Sequence, residues 1–300
     1  MTSNTDFPLD SGAVAAPPMT EPRPLYWSLR RELMENRFVF IAPVIVTAFV
    51  LLGSLVNLLG RIHRIESTGR PDSWLLHPFS MAPAPIMLAS FLIGFFYAID
   101  ALYGERRDRS ILFWKSLPVS DRTTVLSKAA IPTLVLPAIA FVLSVATQIV
   151  MMIVATPFLI ANDQNPAALY QEFGFLGGFV IMIYGLVVHS LWFAPIYAWL
   201  ILVSAWVRRA PLLWAVLPPL VLVALERIVL STSWFGHLLR YRFIGAMSEA
   251  FVNGTRGDIK GFSQLSPLKF IGAPGLWAGL IAAAVFLAAA VHLRRNREPI

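Results

Sequence analysis

Ten ionisable residues crowd into 29 positions of this chain: Asp100, Glu105, Arg106, Arg107, Asp108, Arg109, Lys115, Asp121, Arg122 and Lys128. Phe113 and Trp114 are interleaved with them in the segment Gly104 to Lys128, GERRDRSILFWKSLPVSDRTTVLSK. Nineteen uncharged residues (Met81 to Ile99) come before Asp100, and 34 (Ala129 to Asn162) follow Lys128. Such an island must lie in water or against another protein. Tryptophan and phenylalanine beside arginine suit a protein interface. They suit a helix lying on a membrane surface equally well. The chemistry on offer is recognition.

Few other residues could do chemistry. His189 is the one histidine deep in an apolar stretch, where a lone imidazole usually hydrogen-bonds between helices. Glu226 and Arg227 interrupt another such stretch; an ionisable group there is a functional hypothesis by default, and near the outer end the pair can equally neutralise itself or a neighbour. Asp100, close to Glu105 and Arg106, reads as an ion pair or helix-end anchor. No catalytic constellation is present: H-E-x-x-H, G-x-S-x-G and paired carboxylates within one apolar stretch are all missing. G-x-x-x-x-G-K-[ST] is missing too, so any ATP would be bound by another polypeptide. Without cysteine there are no disulfides or thiolate metal sites, and no metal-binding residues are expected.

The elements that must hold these residues are apolar. Of 300 residues 57% are hydrophobic and only 14% charged, against about a quarter in soluble domains. Six stretches reach the roughly 20 residues a bilayer needs. They are Phe38 to Leu59, Met81 to Ala101, a span within Ala129 to Ile160, one between Glu172 and Arg208, Leu212 to Leu230, and Ile271 to Leu293. Pro132, Pro137 and Pro157 should kink or end the third. The fourth, too long for one straight span, reads as a tilted helix bent at Pro195. The expected fold is therefore an all-α polytopic membrane protein with six transmembrane helices over residues 38–295. The net charge of +7 fits basic residues at span ends, and no nucleic-acid motif is present.

Lys and Arg number 15 on the side carrying both termini, the island and Arg208–Arg209, against eight on the other side. The positive-inside rule thus puts both termini in the cytoplasm. Residues 1–24 read as a disordered tail without a signal peptide. Residues 25–37 carry Leu25, Leu29 and Leu33 at i, i+4, i+8, as an interfacial helix would; an extension of the first span fits as well. Residues 231–270 suit short helices dipping into the outer interface or an ordered loop on the span ends. Within the island, Glu105 to Leu117 reads as a helix ending before Pro118. Ser120 would cap the next helix, with Asp121 at its positive end.

The string DALYGERRDRSILFWKSLPVSDRTTVLSK (Asp100 to Lys128) resembles the segment between the second and third spans of ABC-2 type transporter permeases. The tyrosine, the Gly-Glu-Arg pattern, the Phe-Trp-x-Ser-Leu-Pro-Val-Ser run and the lysine opening the third span carry the likeness. The resemblance implies a permease subunit in a bacterial inner membrane, paired with a second permease subunit as homodimer or heterodimer. It also implies two copies of a separate ATPase that holds ATP and magnesium, and transport of an unidentified substrate by export. The island would then be the coupling helix docked on the ATPase through Glu105, Arg106, Arg107, Asp108, Arg109, Phe113, Trp114 and Lys115, with Leu117 and Pro118 closing the turn. Residues 25–37 and 231–270 would match the family's interfacial helix and outer re-entrant helices. A membrane-embedded enzyme would instead need two of Asp100, His189 and Glu226 at one depth, and an anchor or assembly factor would have no transport cycle.

Overall fold

A computed structural model describes residues 24–68, 82–111, 119–161, 175–252 and 262–296. Along these the chain forms α1 (Pro24–Glu35), α2 (Phe38–Thr68), α3 (Pro83–Asp100), α4 (Tyr103–Arg107) and α5 (Asp121–Ala130). A wide π turn, Ile131–Val135, runs into α6 (Leu136–Ala161). Then come α7 (Phe175–Trp206), α8 (Pro211–Val229), α9 (Trp234–Ala250), α10 (Pro267–Gly272) and α11 (Pro274–Asn296). Five helices open on proline: α1, α3, α8, α10 and α11. Its fixed φ and missing N–H suit the first helical position. Among the described residues the only β pairing is one antiparallel bridge between Phe251 and Leu265.

Six helical stretches are long and apolar enough to cross a membrane: Phe38–Asn57, Pro83–Arg107, Asp121–Ala161, Gly177–Trp206, Pro211–Val229 and Pro274–Asn296. Their outer faces carry large apolar side chains in the open, including Phe49, Leu52, Ile153 and Ile228, the last 78% exposed. In water such a surface would associate; in hydrocarbon it is at home. The chain is a multi-pass membrane protein.

The packing is organised around α7, whose most extensive partner is α11 and which also meets α3, α8 and α9. One core joins Ala98, Leu102, Val125, Ala129, Tyr197, Ile201 and Ala290, near one end of the bundle. Another, toward the opposite end, gathers Val188, Trp192, Ala246, Ala250, Phe251, Phe270 and Leu276. α3 approaches the π turn and α7 closely at Gly94. A Cβ there would meet Pro132 at 3.1 Å and Tyr197 at 3.2 Å.

Several boundaries differ from those read in the sequence. The helix expected over Glu105 to Leu117 stops at Arg107, with Asp108 closing it and Arg109 in the left-handed region at φ 56°. Glu105 and Arg106 turn into the bundle, while Arg107, Asp108 and Arg109 face outward. Pro157 lies inside α6 without ending it, and Pro132 sits in the π turn. Such a turn accommodates the donor that proline lacks. The fourth span is one 32-residue helix with Pro195 inside it. The sixth begins at Pro274, because Ile271 belongs to the separate α10. The tail 1–23, Phe113, Trp114, Lys115, Leu117 and Pro118 lie outside the described residues.

Candidate functional site

Six charged side chains from four helices meet at the end of the bundle where α1, α4 and α5 gather. The centre is Glu32 of α1, completely buried. Lys128 of α5, 3% exposed, places its Nζ 2.9 and 3.0 Å from the two Glu32 carboxylate oxygens and 3.1 Å from Glu105 Oε1. Arg31 donates to Glu32 Oε1 at 2.9 Å and stands 3.7 Å from Glu105. The Tyr97 hydroxyl of α3 donates to Glu32 Oε2 at 3.0 Å. From α11, Arg294 donates to Glu105 Oε2 at 3.1 Å and also pairs with Asp121. Among these six, three carboxylates face three cations, and at the rim the exposed Glu35 stands 3.7 Å from Arg31.

Local sequence explains how each group arrives. Ser120 caps α5 by accepting from the Thr123 amide at 3.1 Å, as its type and position foretold. That start turns Thr124, Ser127 and Lys128 inward on one face. In α1, Glu32 lies at i+4 from the buried Ser28 and i+3 from Leu29, and Leu29 and Leu33 pack against the buried Val39, Tyr97 and Ile131. The glutamate is therefore carried inward by an apolar stripe. Burial pushes its carboxyl up, but the charge of Lys128 and the hydrogen bonds from Lys128 and Arg31 outweigh that and hold it below its ordinary value. Arg294 lies in the last turn of α11, where a cation also faces the negative helix end.

Arg106 does a different task next door. Its guanidinium, 3% exposed, donates to the Ser204 and Val207 carbonyls at 2.7 and 2.6 Å, closing the C-terminal end of α7. The Leu102 amide donates to Ser204 Oγ at 2.9 Å. α4 is thereby fastened to α7 through Arg106 and to α1, α5 and α11 through Glu105.

The island residues divide in two. Glu105 and Arg106 are buried in the bundle. Arg107, Asp108 and Arg109 are exposed. Arg107 donates to Asp108 at 3.0 Å, stands 3.8 Å from Asp100 and lies over the Tyr103 ring. Asp100 is thus the helix-end ion pair its position suggested.

The other candidates are not brought together. His189 sits among Phe91 and Phe193, its Nε2 3.3 Å from the Tyr197 hydroxyl. Glu226 accepts from the Phe235 amide at 2.8 Å, the Gly236 amide at 3.3 Å and the Thr232 hydroxyl at 3.1 Å. It caps α9 from a distance, and Arg227 is exposed beside it. Glu226→Gln removes the anionic acceptor from that helix start and should loosen it. Amide exchange at Phe235 and Gly236 should accelerate while the bundle end that holds Glu32 and Lys128 stays protected; unchanged exchange at Phe235 and Gly236 would contradict the capping role.

A second polar assembly lies at the opposite end, where α9 and α10 stand; residues 253–261 between them lie outside the described residues. Arg242 of α9 donates to the Trp192 carbonyl at 3.0 Å and the Gly275 carbonyl at 2.7 Å, with its guanidinium 4.8 Å from the Trp192 ring centroid. Trp192 Nε1 donates back to the Arg242 carbonyl at 2.8 Å. α9 is therefore a packed element rather than a loose surface helix.

Sequence reasoning missed the network. In the sequence Glu32 and Tyr97 carry no motif, Arg294 reads as a topology charge and Asp121 as part of a helix start. The legible signal is Glu32 itself, an acid at the edge of the apolar stripe of an amphipathic helix. Among the described residues no group of three or more metal-ligating side chains is found. The chain matches no family model, no curated protein and no solved structure.

Proposed function

We propose that this chain is the membrane subunit of an ATP-driven transporter of the ABC-2 type. It works with two copies of a separate ATPase that holds ATP and magnesium, and with a second permease subunit, identical or not. It resides in a bacterial inner membrane with both termini cytoplasmic and exports its substrate. The observation that carries this reading is the position of Glu105. The loop joining the second and third spans begins at a residue locked by buried ion pairs to α1, α5 and α11. Force applied to such a loop is transmitted to several spans at once, as a coupling element requires. The exposed Arg107, Asp108 and Arg109 remain available to a partner beneath.

The enzyme reading gains nothing, since His189 and Glu226 are engaged in separate structural contacts. The test is to purify the tagged chain from its own cells and assay the complex. An ATPase should co-purify, and changing Arg109, Phe113 and Trp114 together to Ala should abolish its coupling while the permease stays folded. Full coupling in that triple variant, or a folded chain with no ATPase attached, would sink the proposal.

A further inference from the structure

The four-residue turn between α7 and α8, Val207 to Ala210, carries two arginines with no hydrogen bond or ion pair to a described residue. Arg208 and Arg209 are both exposed. Arginines just past a helix C-terminus ordinarily satisfy its last carbonyls. Here Arg106 has taken that task, through Ser204 and Val207. No acid is near in sequence either, because the chain has no Asp or Glu between Glu172 and Glu226.

The turn is built rigidly. Val207 is buried, Ala210 adopts φ 50°, and the Leu213 amide donates to the Ala210 carbonyl at 3.1 Å. Trp199 Nε1 donates to the Ala215 carbonyl at 3.1 Å and ties the two helices together just behind it. On either side stand Trp206 and Trp214, ring centroids 5.5 Å apart and edge to face, 44% and 45% exposed. Half-exposed tryptophans at the end of membrane helices mark the headgroup depth. The same pairing recurs on α1 at this end of the bundle, where Arg30 lies over the exposed Trp27 ring.

We propose that the Arg208–Arg209 turn binds the phosphodiester headgroup of an anionic phospholipid. The two guanidiniums engage the phosphate, and Trp206 and Trp214 flank the glycerol and upper acyl region. Arginine suits this better than lysine because its planar fork can meet two phosphate oxygens at once.

The test is native mass spectrometry of the full chain in detergent with phosphatidylglycerol or phosphatidylcholine at matched concentration. Wild type should retain phosphatidylglycerol preferentially. Arg208→Gln with Arg209→Gln should lose roughly 30-fold in retention, the product of two surface cations near a charged headgroup. Arg122→Gln with Arg240→Gln, which removes the same charge elsewhere, should lose none. If the first double variant does not fold, either single change should still lose roughly 5-fold. The proposal is overturned if the Arg208/Arg209 variants keep the lipid, or if the control pair loses as much. It is also overturned if inorganic phosphate displaces the lipid mole for mole, or if only binding of a soluble partner falls.

Discussion

Lys128→Met should cost about 3–5 kcal/mol, because it strands a fully buried carboxylate. Glu32 keeps Arg31, the Tyr97 hydroxyl and a long hydrogen bond from the Asn36 amide at 3.4 Å, and Glu105 keeps Arg294 and a distant Arg31. Removing Glu32 as well should recover much of the loss: Glu32→Gln with Lys128→Met deletes both charges and leaves an amide within reach of Tyr97. The measurement is the unfolding midpoint of the solubilised chain in a four-protein cycle, with Arg122→Met as the exposed control.

The pH dependence follows from the carboxylate. In the wild type Glu32 is held below its ordinary value. Its contribution is complete above the ordinary carboxylate range and disappears as pH falls through the lower folded value. Without Lys128 the burial of Glu32 is no longer offset and its carboxyl rises, so mild acid neutralises it. The cost of Lys128→Met should therefore be largest near neutral pH and shrink on acidification. An equal cost at both, or a cost no greater than that of the Arg122 control, would show that the network does not hold this end together.

The spans were legible because a bilayer demands length and apolarity and little else. Ser120 caps α5 where its type and position indicate, whereas the sixth span starts at Pro274 and not at Ile271. Helix ends set by tertiary contacts were not legible. α4 stops at Arg107 because Arg106 turns to the α7 carbonyls and Glu105 to Lys128 and Arg294, and nothing within residues 105–117 announces those distant partners. Nor can one-dimensional spacing reveal that residues 32, 128 and 294 converge. Each alone looks like an interfacial charge of the kind that sets topology. Glu226 shows the opposite error: an acid within a span invites a functional reading, yet its oxygens serve the amides of the next helix.

Arg242 marks the same problem at the far end of the bundle, and its removal should be the second costly change. Two charge-assisted hydrogen bonds to carbonyls, each worth about 1.5–3 kcal/mol, are lost with the contact to the Trp192 ring. Some of that is regained as the half-buried cation no longer needs to leave water, which puts Arg242→Ala at about 3 kcal/mol. Gly279 makes the arrangement possible. A Cβ there would lie 2.0 Å from Arg242 Nη2 and 2.6 Å from Cζ, so Gly279→Ala must expel the guanidinium from the Gly275 carbonyl. The two changes remove one interaction, and they should not add. The double variant should unfold with Arg242→Ala alone, and Arg242→Lys, which cannot bridge both carbonyls, should fall between it and the wild type. Additive losses would mean that Gly279 matters for helix packing and not for the arginine. With non-additive losses, Gly279 of α11 is there to admit the Arg242 guanidinium of α9, and α9 is a fixed part of the membrane bundle.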